Sequence, residues 1–242
     1  MDIKVLASGS AGNCYCVSDG LTPLLLECGI SVKQIRQGLG FGLTQVAACL
    51  VSHEHQDHAK AVADVLRAGV EVYTSPGTIE ALGLEHHRLR PVKSKDTFRI
   101  GSWTIKAFET QHDAQEPLGF LLHSNVTGER LLYATDTYYI RYKFPSLTHI
   151  MVECNYAADI LYENVKRGSV PEVLKNRLLT SHFSLENVKE FLKANDLGQV
   201  REIWLLHLSD GNSDAERFKQ EVMQLTGKPT YIAGGEQEDA GI

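Results

Sequence analysis

The segment CLVSHEHQDHAKAV, residues 49–62, decides the fold of this chain. An apolar run from Ala47 to Val51 gives way to HEHQDH, three histidines and two acids within six residues. A polar turn after a buried strand is the simplest interpretation. With ten histidines in 242 residues, however, this spacing would arise by chance in about one chain in a thousand. The segment therefore predicts a metal site.

The spacing has a structural reason. His53 and His55 are two residues apart, so in an extended backbone their rings point to the same side and can share one ion. Asp57 and His58 are adjacent at the expected turn into a helix, where they can face a second ion. Imidazole and carboxylate groups are ligands of zinc and of other divalent ions, including manganese.

Composition sets the broad class. With 43% hydrophobic and 22% charged residues, and with neither a linker nor a repeat, we expect one globular domain over residues 1–242. No apolar stretch reaches the length of a membrane span, and the N-terminus lacks a signal-peptide layout, which predicts a cytoplasmic protein. Five cysteines do not form a disulfide framework. The net charge of −6 argues against general electrostatic binding of nucleic acid but permits a local basic groove.

Strands and helices alternate along the chain. Helices are predicted after His58, after Ser184, and from the capping box SDAE at residues 213–216. Short apolar and β-branched runs predict strands at Ile3–Leu6, Cys14–Val17, Leu24–Glu27, Ala47–Val51, Val70–Thr74, Phe98–Ile100, Trp103–Phe108, Phe120–His123, Leu131–Ala134, Ile150–Glu153 and Glu202–His207.

Beyond HEHQDH, further motifs resemble the metallo-β-lactamase superfamily in order and coarse spacing over nearly the whole chain. FETQHDAQEPLGF contains His112, LLYATDT contains Asp136, IWLLHLSDGN contains His207, and LLLECG contains Glu27. The resemblance implies an α+β fold, a four-layer αββα sandwich of two mixed β-sheets. It also implies two divalent metal ions, zinc or manganese.

The resemblance assigns roles to these residues. His53, His55 and His112 would hold one ion, and Asp57, His58 and His207 the other. Asp136 would bridge the two, and a metal-bound hydroxide would attack the substrate. Glu27 would orient the ligands from behind, although an aspartate is usual at this position in the family, which puts metal preference in doubt.

Within the superfamily, the chain is most similar to the WalJ (YycJ)-type branch. That branch is related to the β-CASP nucleases and ribonuclease Z. Its SGSxGN motif matches residues 8–13, its HEHxDH motif is intact, and SHFSLEN precedes LHLSDGN as in the branch. The long arm of ribonuclease Z has no counterpart here, and the 45 positions between Asp136 and His182 are too few for a β-CASP cap domain. The branch implies a phosphodiesterase, most simply a DNA exonuclease.

Three residues are expected to be catalytic: Asp57, Asp136 and His182. His182 lies just before a helix that Ser184 can cap, where an imidazole could stabilise phosphorane charge or protonate the leaving oxygen. A packed histidine beside a cap is the alternative. The loop with Ser10 and Asn13 is either a tight turn or a phosphate cradle.

Aromatic and basic residues suggest a substrate approach. TDTYYIRYK follows the bridging aspartate directly and interleaves tyrosines with cations, including Tyr138 and Arg141. Such a mixture suits an unpaired strand entering a metal cleft. The expected substrate-binding residues are Ser10, Asn13, His182, Ser184, Tyr138 and Arg141.

Other functions stay open from the sequence. A small-molecule phosphodiesterase acting on a cyclic phosphodiester, a glyoxalase-like thioester hydrolase and a non-catalytic metal-binding protein are compatible with the ligand set. A nucleic acid partner is expected, DNA favoured over RNA, with no membrane association. A homodimer is a common outcome for soluble enzymes.

Overall fold

The computed structural model describes residues 1–234, so residues 235–242 of the expected domain lie outside the described part. The strands are β1 (Asp2–Ala7), β2 (Cys14–Ser18), β3 (Pro23–Leu26), β4 (Ala48–Leu50), β5 (Glu71–Thr74), β6 (Leu89–Pro91), β7 (Thr97–Ile100), β8 (Trp103–Glu109), β9 (Leu118–Ser124), β10 (Arg130–Ala134), β11 (His149–Glu153), β12 (Glu202–Leu206) and β13 (Thr230–Ile232). The helices are α1 (Val32–Gly38), α2 (Gln56–Ala59), α3 (Val62–Arg67), α4 (Pro76–Leu82), α5 (Ala158–Lys166), α6 (Glu172–Ser181), α7 (Leu185–Ala194) and α8 (Ala215–Thr226), with a 3₁₀ turn at Leu43–Gln45.

The strands form two sheets. One has six strands in the order β1-β2-β3-β4-β5-β6, and the other seven in the order β13-β12-β11-β10-β9-β8-β7. In each sheet, strands at one side pair antiparallel and those at the other side pair parallel. The two mixed sheets predicted from the sequence are therefore confirmed.

The side-chain period of two separates the apolar residues of each strand into two layers. In β3, Leu24 and Leu26 pack into the core shared with the second sheet, where Trp103 and Phe120 lie. Leu25, between them, packs outward on the cluster beneath the helices that follow β3 and β4. The core between the sheets is thus built from alternate residues.

Helices cover both outer faces. α1 and α3 pack on the six-stranded sheet through Ile35 and Val65, and α7 and α8 pack on the seven-stranded sheet through Val188 and Phe218. Because each helix presents an apolar stripe at helical spacing, it buries that stripe against the sheet beneath. The predicted four-layer αββα order is confirmed.

Most predicted elements occur. All eleven predicted strands are present, each end within two residues of its expected position. Within residues 1–234, the short strands β6 and β13 and the helices α1, α4, α5 and α6 are additional. The capping box at 213–216 was wrong by one residue. Asp214 caps α8 by accepting the Arg217 N–H, because the Ser213 hydroxyl donates to the Ser209 carbonyl instead.

In the described part of the chain, none of the helices has the length and apolar character needed to cross a bilayer.

Candidate metal centre

Three imidazole rings converge at the carboxyl end of β4. His55 Nδ1 lies 3.1 Å from His53 Nε2 and 3.2 Å from His112 Nε2. Two nitrogens bound tetrahedrally to one zinc ion at 2.0–2.1 Å are about 3.3 Å apart. The spacing of these rings is therefore that of a shared ion.

Two of these rings are held from behind. The Nδ1 atom of His53 contacts the Ser52 hydroxyl at 2.8 Å, and the Nδ1–H of His112 donates to the Ser181 carbonyl at 2.8 Å. A hydrogen bond at one ring nitrogen fixes the orientation and leaves the other nitrogen free to bind a metal. Ser181, at the end of α6, therefore connects a helix that was missed from the sequence to the cluster.

A second cluster lies beside the first. His207 Nε2 is 3.2 Å from Asp57 Oδ2, and His58 Nε2 is 3.4 Å from the same oxygen. Together with Asp136, these residues offer ligand atoms within 4.8 Å of one another. Carboxylates and imidazoles in this ratio can hold a second divalent cation.

Asp136 lies between the two clusters. Its Oδ1 atom is 3.3 Å from His58 Nε2 and 3.4 Å from His207 Nδ1. Its Oδ2 atom is 3.5 Å from His112 Nε2 and 3.9 Å from His53 Nε2. Because one oxygen faces each cluster, this carboxylate can bridge two ions.

The pKa shifts differ between the clusters. Burial lowers the pKa of His53 and of His112, so these rings are neutral near pH 7, the form that binds metals. Burial opposes the charged form of His58 and His207 as well. Asp136 and Asp57 outweigh it and raise the pKa of both rings, that of His207 to about 10. These protons occupy the place that a cation would take.

The residues fit divalent cations. Buried carboxylates and imidazoles face one another: His58 Nε2 lies 3.4 Å from Asp57 Oδ2 and 3.3 Å from Asp136 Oδ1. Buried carboxylates cost free energy unless a positive charge compensates them. A positive ion among these ligands would remove the repulsion between like-charged groups and give the imidazole nitrogens an acceptor for their lone pairs.

Glu27 braces the second cluster. Its side chain is fully buried and accepts the Ser52 N–H at 3.2 Å and the Tyr133 hydroxyl at 3.0 Å. Its Oε2 atom is 3.7 Å from His58 Nδ1. The carboxylate thus links the start of the HEHQDH segment to the second sheet and faces the back of the His58 ring.

Glu153 is the functional residue that sequence reasoning missed. It is fully buried at the end of β11. Its Oε1 atom accepts from His182 Nδ1 at 2.6 Å and lies 3.2 Å from His207 Nδ1. Its Oε2 atom accepts the backbone N–H groups of Thr137 and Phe183. A signal was present, because LLLEC and IMVEC both place Glu-Cys at the end of a buried strand.

The strand ends that carry these residues share an unusual backbone. Glu27, Asp136 and His207 have φ values of 63°, 43° and 53°. Left-handed φ is uncommon for residues other than glycine and is concentrated at functional sites. The conformation turns each side chain off the end of its strand and into the space between the sheets.

The loop at residues 8–13 forms a tight turn. Gly9 and Gly12 have φ values of 120° and 147°, as expected. The N–H groups of Gly9, Gly12 and Asn13 bond to Asn13 Oδ1, Gly9 O and Asp57 O, which leaves few donors for a phosphate. Asn13 is fully buried and contacts His58 Nε2 at 3.3 Å, so its side chain has no surface for a substrate. Ser10 is exposed at the tip.

The remaining expected substrate residues lie around His182. Ser184 is buried and caps α7 by accepting the Asn187 N–H. Tyr138 is exposed, and its N–H donates to Gln111 O beside the His112 loop. Arg141 is exposed but forms an ion pair with Glu109 at 3.0 Å. The structure therefore places His182 beside the clusters, with its Nδ1 atom 3.9 Å from Asp136 Oδ2.

Comparison with known proteins identifies the family of this chain. The family described as the "Beta-lactamase superfamily domain" matches residues 22–207. The chain is 27% identical to "Exodeoxyribonuclease YycJ" of Bacillus anthracis, with 97% of this chain and 92% of that protein covered. It is 28% identical to "Exodeoxyribonuclease WalJ" of Streptococcus pneumoniae serotype 2, with 88% and 83% covered.

A solved structure shows the same fold. The metallo-β-lactamase fold protein YhfI from Bacillus subtilis superimposes with a TM-score of 0.73 at 16% identity, covering 96% of this chain and 95% of that one. The fold and the family match define the class. The chain belongs to the metallo-β-lactamase superfamily of hydrolases, whose fold implies divalent metal binding.

Proposed function

We propose that this protein is a dinuclear-metal phosphodiesterase that acts as a DNA exonuclease. One observation carries the proposal: an imidazole on a buried carboxylate, His182 on Glu153, lies beside two clusters joined by Asp136. His182 Nδ1 is 3.9 Å from Asp136 Oδ2. The names of the two relatives, both exodeoxyribonucleases, support DNA as the substrate.

The proposed metal ligands form two sets. His53, His55 and His112 would hold one ion, and Asp57, His58 and His207 the other, with Asp136 between them. Zinc and manganese both suit this set of ligands. When bound, two such ions supply a water-derived nucleophile and neutralise the charge of the reacting phosphate.

His182 is placed to move a proton. Its Nδ1 atom is fixed on Glu153, so Nε2 is the nitrogen available to a substrate. Burial disfavours the protonated ring, but Glu153 outweighs burial and raises the pKa of His182. A protonated Nε2 can donate to the leaving oxygen or to a non-bridging oxygen of the phosphate. A thioester hydrolase would have no use for this group.

Cleavage of end-labelled DNA tests the proposal. Single- and double-stranded DNA and RNA of one sequence, with and without a 5′-phosphate, are incubated with Mn²⁺ or Zn²⁺. Asp136→Asn is the inactive variant, and His87→Asn, on an exposed histidine, is the matched control. We expect stepwise loss of DNA label with the wild type and His87→Asn only. Hydrolysis of bis-p-nitrophenyl phosphate without DNA cleavage would favour a small-molecule phosphodiesterase.

A further inference from the structure

A groove runs along α7 next to the metal centre. It lies between the segment that follows β10, residues 139–143, and the helix, and encloses about 310 Å³. Sites for small molecules range from about 300 to 1,000 Å³, so the groove has room for one small, flat group. None of the metal ligands lines it.

Two asparagines close the groove at its ends. Asn187 Nδ2 donates to the Tyr138 carbonyl at 3.2 Å, and Asn195 Oδ1 accepts the Phe144 N–H at 2.9 Å. Eight residues of helix separate the two asparagines, which corresponds to about 12 Å. Between these two hydrogen bonds, the segment stands away from the helix and leaves the cavity open.

The floor of the groove is apolar and aromatic. Ile140, Phe183 and Phe191 line it and are 6%, 1% and 6% exposed. Tyr142 forms one side, and its hydroxyl is fixed by donation to Glu109 at 3.0 Å. Because the three floor residues are almost fully covered, a planar ring can stack only on the tyrosines, Tyr142 and the 56% exposed Tyr139, which also lines the groove.

The free charge at the rim is positive. Lys143 is exposed and forms no ion pair with any other residue in the range 1–234. Glu190, on the opposite rim, is paired with Lys193 at 2.8 Å. Arg141 is paired with Glu109. An anion next to the groove would therefore meet an unpaired ammonium group.

Both walls begin beside residues of the metal centre. The segment that forms one wall follows Asp136 directly, and Phe183 is the residue after His182. A polymer whose phosphate lies between Asp136 and His182 would thus have its next unit at the mouth of the groove. Stacking of one unit and a charge contact to its phosphate are the interactions that this geometry provides.

We propose that the groove binds the base of the nucleotide adjacent to the scissile phosphate of a DNA strand, with Lys143 contacting the phosphate beyond it. The inference rests on the proposed nuclease function and names a nucleotide subsite for it. Recognition by stacking makes the subsite tolerant of base identity. It requires an unpaired base, so the bound end of the substrate is single-stranded.

Abasic scanning tests the subsite. End-labelled single-stranded oligonucleotides each carry one abasic nucleotide at successive positions from the cleaved end. The variant Ala194→Trp fills the groove from an exposed helix position that lines it. Met223→Trp, at an exposed position of α8 that does not line the groove, is the matched control. Each value of kcat/KM is divided by that of the same protein for a fully abasic oligonucleotide of equal length, which has no base to seat.

In the wild type, we expect one abasic position to lower this ratio about tenfold, the size of one stacking contact. Ala194→Trp should lower the ratio for unmodified DNA by a similar factor. In this variant, an abasic nucleotide at the sensitive position should cause no further decrease. Met223→Trp should keep the wild-type profile. DNA cleavage with a flat abasic profile, or the same loss in both tryptophan variants, would overturn the subsite alone. Absence of any nucleic acid cleavage by the wild type would overturn the proposed function, and the subsite with it.

Discussion

Glu153 Oε1 accepts a hydrogen bond from His182 Nδ1 at 2.6 Å, and the carboxylate that does so is fully buried. The same carboxylate lies 3.2 Å from His207 Nδ1. One acid at the end of β11 therefore positions both a proposed metal ligand and the proposed proton donor.

His182→Asn should separate these two roles. Because His182 is not one of the proposed ligands, we expect metal content to stay at the wild-type value. Turnover of DNA should fall about 10²- to 10⁴-fold, the usual contribution of a general acid. Metal analysis and single-turnover cleavage of labelled DNA measure the two quantities. Unchanged turnover of DNA would show that His182 does not supply the proton.

Glu153→Gln should affect both functions. The amide keeps the shape of the side chain but removes the charge that raises the pKa of His182. If protonated His182 is the general acid, its pKa sets the alkaline limb of the pH–rate profile for kcat. We expect this pKa to fall, so that the alkaline limb moves to lower pH. Metal affinity should weaken by about 10- to 100-fold because His207 loses its partner. A profile that coincides with that of the wild type would contradict the positioning role.

Asp136→Asn should remove the bridge between the clusters. The neutral amide cannot offer an anionic oxygen to each ion, although asparagine tolerates the left-handed φ of this position. We expect at most one tightly bound ion per chain, with loss of activity of at least about 100-fold. Metal content after dialysis, read beside the circular dichroism spectrum, checks the result. Two retained ions would show that other residues join the clusters.

Glu27→Asp should weaken the brace behind His58. The shorter side chain draws the carboxylate away from the Tyr133 hydroxyl and the Ser52 N–H, which are buried. Leaving one buried donor unpaired costs about 1–3 kcal/mol, so the free energy of unfolding in urea should fall by that amount. Tyr133→Phe, which removes the donor together with the hydrogen bond, should cost less. Equal losses in the two variants would contradict this account.

The lowered pKa of His149 should make the stability of the protein depend on pH. Its pKa is lowered from 6.5 to about 4, mainly by burial and also by the Met1 amine and Arg201, against the opposing effect of Glu129. Between these pH values the unfolded chain binds a proton that the folded protein does not. Stability should therefore fall as the pH drops from 6.5 to 4, by up to about 1.4 kcal/mol per pH unit.

Urea unfolding of the metal-free protein at pH 7 and pH 4.5 measures this slope. His149→Gln should reduce it, because glutamine does not titrate, while His87→Gln serves as the exposed control. Apart from the substituted position, the three proteins have the same titratable groups, so the difference between the wild type and His149→Gln isolates His149. Parallel slopes in the wild type and His149→Gln would rule the prediction out.

The sequence predicted the proposed ligands and one residue that supports them, Glu27, but not the second supporting residue, Glu153. Strand alternation and the HEHQDH spacing are local patterns, so β4 and its histidines could be read directly. His112, Asp136 and His207 were found only because the superfamily places ligands at strand ends. Glu153 escaped because its role depends on His182, 29 residues further along the chain. Contacts of this kind depend on how distant segments pack together, so they produce no periodic pattern in the sequence.

Helix α6 could not be predicted from the sequence either. α6 is largely exposed along its length, so its residues carry no apolar stripe of the kind that predicts a helix. Its end nevertheless fixes the His112 ring through the Ser181 carbonyl.

Asn13, which was expected to contact the substrate, is instead buried against His58, because the loop closes over the second cluster.

The left-handed backbone at Glu27, Asp136 and His207 makes the two clusters unequal in evolvability. A new ligand at any of these positions must suit the metal and also tolerate a conformation that costs most residues about 1–2 kcal/mol. His53, His55 and His112 have negative φ values, so cysteine or glutamate could replace them without that backbone cost. Asp57 and His58 likewise have no left-handed φ. A directed-evolution library seeking a different metal would therefore find its freedom in the first cluster and at these two positions, while Asp136 and His207 change least.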